Sequence, residues 1–218
     1  DQEVQHEELF LVDTTDKKLI KVSVEKWPDQ TLRLFTPGKK VNSLYFLRKK
    51  RTCDEIDFCK VDLKTGEVKV LINEISKPYF NNDFFHLSLL NEGKDIIWWS
   101  ERTGHGHFYH YDGEGNLKNA ITSGNWTAGK MVKIDTVGRT IYFGAYGQEK
   151  GACPYYARVN KARIDGNGQV EVLTPEQATH EAYFSKSGRY FVDNYSRADL
   201  EPRSVLRDNK GKVIMELA

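Results

Sequence analysis

At 218 residues, with 32 Lys and Arg against 31 Asp and Glu and a net charge of +1, the chain carries no field that would draw it to nucleic acid or an anionic membrane. Aromatic residues make up 12% of it, and no stretch approaches the roughly 18 apolar residues of a membrane helix. The length allows one large domain or two small ones, either with a real core.

Long windows lack a 3.6-residue apolar rhythm, whereas short alternating or aromatic runs bounded by Gly, Asn and Asp recur, which predicts an all-β chain. The first run, Leu9-Phe10-Leu11-Val12, reads as the third strand of a unit and turns at Asp13 into Leu19-Ile20-Lys21-Val22. Gly38-Lys39 then precedes the strand Leu44-Tyr45-Phe46-Leu47, and a hairpin follows at Asp62-Leu63-Lys64-Thr65-Gly66. The pattern returns as Gly93-Lys94 before Ile96-Ile97-Trp98-Trp99 with a turn at Asp112-Gly113-Glu114-Gly115. It returns again as Gly138-Arg139 before Ile141-Tyr142-Phe143 with Asp165-Gly166-Asn167-Gly168. The last copy is Gly188-Arg189 before Tyr190-Phe191-Val192 with Asp208-Asn209-Lys210-Gly211.

The leading aspartates stand 49, 50, 53 and 43 residues apart. Four strands in such a period match a propeller blade, with glycine supplying the φ > 0 positions and Asp accepting bonds from turn amides. The expectation is a partial β-propeller of four-stranded antiparallel blades, about four blades plus part of a fifth. The blades divide at 1–26 (partial), 27–75, 76–124, 125–175 and 176–218. Strands such as Ile96-Ile97-Trp98-Trp99 should be buried on both faces between blades.

Trp99-Ser100-Glu101-Arg102-Thr103-Gly104, then His107-Phe108-Tyr109-His110-Tyr111-Asp112, then Leu117 to Trp126, resembles the propeller of dipeptidyl peptidase IV-like enzymes of the prolyl oligopeptidase family. Phe184-Ser185-Lys186-Ser187-Gly188-Arg189-Tyr190-Phe191-Val192-Asp193-Asn194-Tyr195-Ser196 is similar to a second stretch near the end of that propeller, and Leu173-Thr174-Pro175 and His180 fall in the family's order. The resemblance covers residues 40 to 218 well and 1 to 39 weakly. It implies the C-terminal half of an eight-bladed propeller that caps an α/β-hydrolase domain with a Ser-Asp-His triad. Such enzymes remove N-terminal dipeptides, usually with Pro or Ala second. It further implies that the catalytic domain is absent here and that an extracytoplasmic location applies: periplasmic or secreted in a bacterium. The segment's role would be to shape and gate peptide access.

A serine hydrolase of this type needs G-x-S-x-G, whose strained elbow exposes the nucleophile, and no such motif occurs. Catalytic residues are therefore expected to be none, cofactors none and metal none. The family's substrate-amine glutamates have an imitation in Glu7-Glu8, but that pair runs straight into a strand and reads as a solvated strand start. The stretch Lys77 to Asn82 precedes an inner strand that the resemblance sets on the far side of the pocket. Tyr79, Phe80 and Asn82 are thus substrate-side candidates, an aromatic to stack on a peptide and an amide to bond its backbone. The plainer reading is a connecting loop with a buried aromatic plug.

Strand alternation puts His107 and His110 on opposite faces, so they cannot share an ion, and His105 with His107 lacks further ligands nearby. Asp54, Glu55 and Asp57 cluster without the inward pairing of a sugar-processing site and read as a solvated hairpin tip. Cys53, Cys59 and Cys153 allow at most one disulfide, with Cys53 and Cys59 the near pair and plain thiols the simpler reading. Asn125-Trp126-Thr127 fits a glycosylation sequon, and no signal peptide is visible at Asp1. A free-standing propeller scaffold for protein partners is the alternative function. The scaffold reading expects a complete ring, whereas the peptidase reading expects self-association of the piece through exposed blade edges; no nucleic-acid or membrane partner is expected.

Overall fold

The computed structural model describes residues 6–36 and 43–217. The strands are β1 (Leu9–Val12), β2 (Leu19–Val22), β3 (Thr31–Phe35), β4 (Leu44–Lys49), β5 (Glu55–Val61), β6 (Val68–Ile75), β7 (Leu87–Leu90), β8 (Asp95–Ser100) and β9 (His107–Asp112). They continue as β10 (Leu117–Ala120), β11 (Thr127–Asp135), β12 (Thr140–Tyr146), β13 (Arg158–Arg163), β14 (Val170–Val172), β15 (Thr179–Phe184), β16 (Tyr190–Arg197), β17 (Leu200–Asp208) and β18 (Val213–Glu216). One two-stranded sheet, β1-β2, and four four-stranded sheets, each ordered as in the chain, make the fold a partial β-propeller. The turn expected at Gly38-Lys39 lies outside the described residues.

Contacts divide the chain into two compact units, residues 1–81 with 89–96 and 111–116, and residues 82–88 with 97–110 and 117–218. In the first unit β1 shows period-two burial: Leu9 and Leu11 pack on a core of Val22, Val24, Phe46, Cys59 and Val61, while Phe10 and Val12 face solvent. Cys59 is a free thiol there, and burial pushes its pKa up to about 12, so it behaves as a small apolar residue. Cys53 and Cys153 are free as well.

In the second unit Tyr142, Val159, Leu173 and Phe191 form a core against Ala182 and Phe184, with the Tyr142 and Phe184 rings 4.6 Å apart. Every residue of β8 is buried, as expected of a strand covered on both faces. The Trp99 indole N–H finds a partner in the Ala128 carbonyl at 2.7 Å, which removes the polar cost of burying that ring.

The repeated Asp turns join the third and fourth strands of their sheets. Asp62 accepts amide bonds from Lys64 and Thr65, Asp112 from Glu114 and Asn116, and Asp208 from Lys210 and Lys212, all between 2.8 and 3.0 Å. The glycine that closes each has left-handed φ, +76° at Gly66, +89° at Gly115 and +85° at Gly211. Position matters as much as conformation. A Cβ on Gly115 would overlap the Leu71 carbonyl oxygen within β6, and one on Gly211 the Leu173 carbonyl just past β14, so each of these turns is pressed against backbone of the preceding sheet's fourth strand or the residue that follows it. Asp165 departs from this rule, since its carboxylate leaves the turn to pair with Arg139.

Candidate functional site

An antiparallel four-strand meander sorts its connections by end. The 1→2 and 3→4 turns share one end of each sheet, and the 2→3 loop and the departure toward the next sheet share the other. The Gly and Asp turns therefore occupy one end, and connections of varied length the opposite one, from two residues between β16 and β17 to eleven between β12 and β13. In sheet β3–β6 this loop end is tied together by backbone bonds, Ser76 N–H to the Asp54 carbonyl at 2.9 Å and Phe80 N–H to the Cys53 carbonyl at 2.8 Å.

Of the three substrate-side candidates, Tyr79 is 64% exposed at this loop end, and its carbonyl accepts the Ser76 hydroxyl at 3.3 Å. Phe80 is 4% exposed and packs inward, so its ring anchors the loop. Asn82 is exposed but belongs to the second compact unit, whereas Tyr79 and Phe80 belong to the first.

Behind that loop end, where the sequence predicts a solvated tip, lies a buried ionic network. Asp57 is wholly buried; its carboxylate accepts bonds from Arg48 Nε at 2.8 Å, Lys26 Nζ at 2.9 Å and Asn73 Nδ2 at 2.7 Å. Burial pushes its pKa up, but the bonds from Asn73, Lys26 and Arg48 outweigh it and hold the carboxyl below its ordinary value. Only Asp54, paired with Lys50, sits at the tip. The Asp57 partners Lys26 and Arg48 also clamp the segment before β3, since Arg48 donates to the Val24 carbonyl at 3.1 Å. Glu7 and Glu8 are occupied locally. Glu7 accepts the Leu32 amide at 2.7 Å, and Glu8 pairs with Lys21.

The histidines of β9 are structural. His107 lies between the Thr122 hydroxyl at 3.1 Å and the Gly124 carbonyl at 3.0 Å, edge-on to Trp126. Because Thr122 Oγ1 already accepts the Phe108 amide at 3.0 Å, its own proton is free for Nδ1, which leaves the Nε2–H tautomer to donate to Gly124. Burial lowers the pKa of His107 and favours that neutral form. His110 points to the other face, its Nδ1 3.3 Å from Asn119 Oδ1. A further pair, His86 Nε2 at 2.7 Å from Ser88 Oγ, looks like a base and a nucleophile, yet Ser88 is a strand residue and not at a strand-to-helix elbow.

Sequence reasoning missed one constellation entirely. Glu176, His180 and Asp193 bring ligand atoms within 4.8 Å of one another, with His180 Nδ1 2.9 Å from Asp193. Arg207, 2% exposed, donates from Nε to Asp193 at 2.8 Å and sets its other terminal nitrogen 2.8 Å from Glu176, as an ion pair not aligned for a hydrogen bond. Its guanidinium thus supplies the positive charge that a metal would bring, and a cation would have to enter against it. The four residues lie on three segments, so no local spacing could reveal them. The loop end of this unit is held by Glu149, which accepts from Arg158 at 3.2 Å and Gln177 at 2.6 Å.

A profile of the family described as dipeptidyl peptidase IV (DPP IV) N-terminal region matches residues 2–202. The dipeptidyl peptidase 4 of Trichophyton rubrum is 28% identical over 153 residues, and that of Trichophyton equinum 24%; each match covers 66% of this chain and 19% of the relative. The chain therefore spans about a fifth of the length of these curated relatives. Among solved structures, Porphyromonas gingivalis dipeptidyl peptidase 4 superposes with a TM-score of 0.77 at 24% identity, over 97% of this chain and 29% of its own. A protein described as a dipeptidyl aminopeptidase IV from Bacteroides ovatus gives 0.71 at 20% identity, over 95% and 32%. Among the described residues no helix is long and apolar enough to cross a membrane.

Proposed function

We propose, from the premise that this chain belongs to the dipeptidyl peptidase IV N-terminal region family, that it is a non-catalytic propeller segment of a serine exopeptidase releasing N-terminal dipeptides with Pro or Ala second. The family match over residues 2–202 carries this reading. In it, the varied loop ends of the sheets border the path by which peptides reach an active site on another domain. The turn ends, committed to blade packing, keep those loops in place. An extracytoplasmic location, periplasmic or secreted in a bacterium, goes with this role.

Of the three candidates, Tyr79 is the side chain presented for substrate contact, with Phe80 buried and Asn82 following in the same connection. An aromatic ring costs little conformational entropy on binding an extended peptide and offers a hydroxyl at its rim. The test is hydrolysis of a Gly-Pro chromogenic substrate and of longer peptides by the longer enzyme that holds this chain, by the chain alone, and by the longer enzyme carrying Tyr79→Ala. Activity in the longer enzyme alone, with KM for longer peptides raised by Tyr79→Ala, supports the proposal. Turnover by this chain alone overturns it.

A further inference from the structure

We infer that Asn167-Gly168 is a site of spontaneous covalent modification, at which the asparagine cyclises through the glycine nitrogen and reopens as aspartate or isoaspartate. This goes beyond the peptidase reading and does not depend on it. The third-to-fourth-strand turns provide the comparison. In three of them the glycine N–H is held by the carbonyl of the leading Asp: Gly66 to Asp62 at 2.8 Å, Gly115 to Asp112 at 3.1 Å, Gly211 to Asp208 at 3.0 Å. Among the described residues no hydrogen bond holds the Gly168 N–H. In the same turn the Asp165 carboxylate pairs with Arg139.

The residue before the glycine also differs. The sister turns carry Thr65, Glu114 and Lys210, none with a carboxamide, and only this one places an amide carbon next to a glycine nitrogen. Asn167 is exposed, and Gly168, at φ +88°, has no Cβ to hinder the approach. The Gly168 nitrogen bonds to Asn167 Cγ, closing a five-membered imide; the Cγ–Nδ2 bond breaks, and ammonia leaves with the glycine amide proton. Water then opens one of the two imide C–N bonds, giving aspartate or, at the main-chain carbonyl, isoaspartate. No oxidant, reductant or cofactor takes part. Isoaspartate inserts a methylene into the backbone of a turn whose glycine sits against Ser123, so the product loosens the contact between that turn and the preceding sheet.

The test is to hold the folded chain and a urea-unfolded sample in mildly alkaline buffer and map tryptic peptides by mass over time. In the folded chain the peptide holding Asn167 should exchange NH for O in mass and split into aspartate and isoaspartate forms. The peptides holding Asn116 and Asn209 should keep their starting mass. Asn167→Ser should abolish the change. Conversion in the folded chain at a rate of the same order as in the unfolded one supports the inference. An unaltered Asn167 in the folded chain, while the unfolded sample converts, overturns it.

Discussion

Gly115 lies so close to the Leu71 carbonyl that a Cβ there would stand well under 3.0 Å from the backbone oxygen, and Gly115 also holds φ +89°. Gly104 has the same φ of +89° with nothing within 4 Å of its Cβ position. The pair separates conformational strain from close approach. Gly104→Ala should cost only the left-handed penalty, about 1–2 kcal/mol. Gly115→Ala must add displacement of a backbone segment and should cost clearly more, about 2 kcal/mol at the least. Urea denaturation midpoints decide it, and equal losses would show that the turn does not bear on the neighbouring sheet.

That relationship also marks how far the sequence could be read. The Asp and Gly of each turn are visible as a repeat because turn chemistry is local, and the full burial of Trp98 and Trp99 follows from an apolar run with no polar alternation. The burial of Asp57 is not legible locally, because its partners Lys26 and Arg48 stand 31 and 9 residues away. The same non-local pairing hid Asp193 and Arg207, and it gives Asp165, which leads a turn like its sister aspartates, a partner 26 residues away in Arg139.

Arg207 neutralises Asp193 where neither has water to turn to. Arg207→Met should leave the buried Asp193 carboxylate with His180 but without its guanidinium and destabilise the fold by about 3–5 kcal/mol. The double change with Asp193→Leu should recover much of that loss, because the uncompensated charge disappears with it. A double-mutant cycle on denaturant unfolding measures the coupling, and additive single losses would mean that the two groups do not depend on each other.

His107 should make the fold sensitive to acid. Burial lowers its folded pKa, aided by nearby His105, against a smaller opposing effect from the Gly124 carbonyl. Between the folded and unfolded values the unfolded chain binds the extra proton, so stability is fully present above the unfolded value of about 6.5 and declines as pH falls below it. His107→Gln keeps a donor for Gly124 without a titrating group and should flatten the profile below that pH. A variant that loses stability with acid as steeply as the parent would assign the sensitivity to other groups, the buried Asp57 first, which acts only lower, near the carboxylate range.

Strand β18 closes the order of its sheet as an edge, and all four of its residues are exposed. Its apolar side chains face outward on both sides, with Val213 at 41%, Ile214 at 49% and Met215 at 52% exposure. Met215 also ends a row that crosses the sheet through Leu206 and Val192 to Tyr183, itself 60% exposed. An edge strand with unpaired amides, an apolar row and Glu216 as its single charge has few of the devices that prevent edge pairing. The isolated chain is therefore expected to self-associate with rising concentration, and Ile214→Lys with Met215→Lys should suppress this while leaving the unfolding transition in place. Light scattering over a dilution series reads both, and a parent chain that stays monomeric throughout would show that this edge is guarded by its twist or by side-chain solvation.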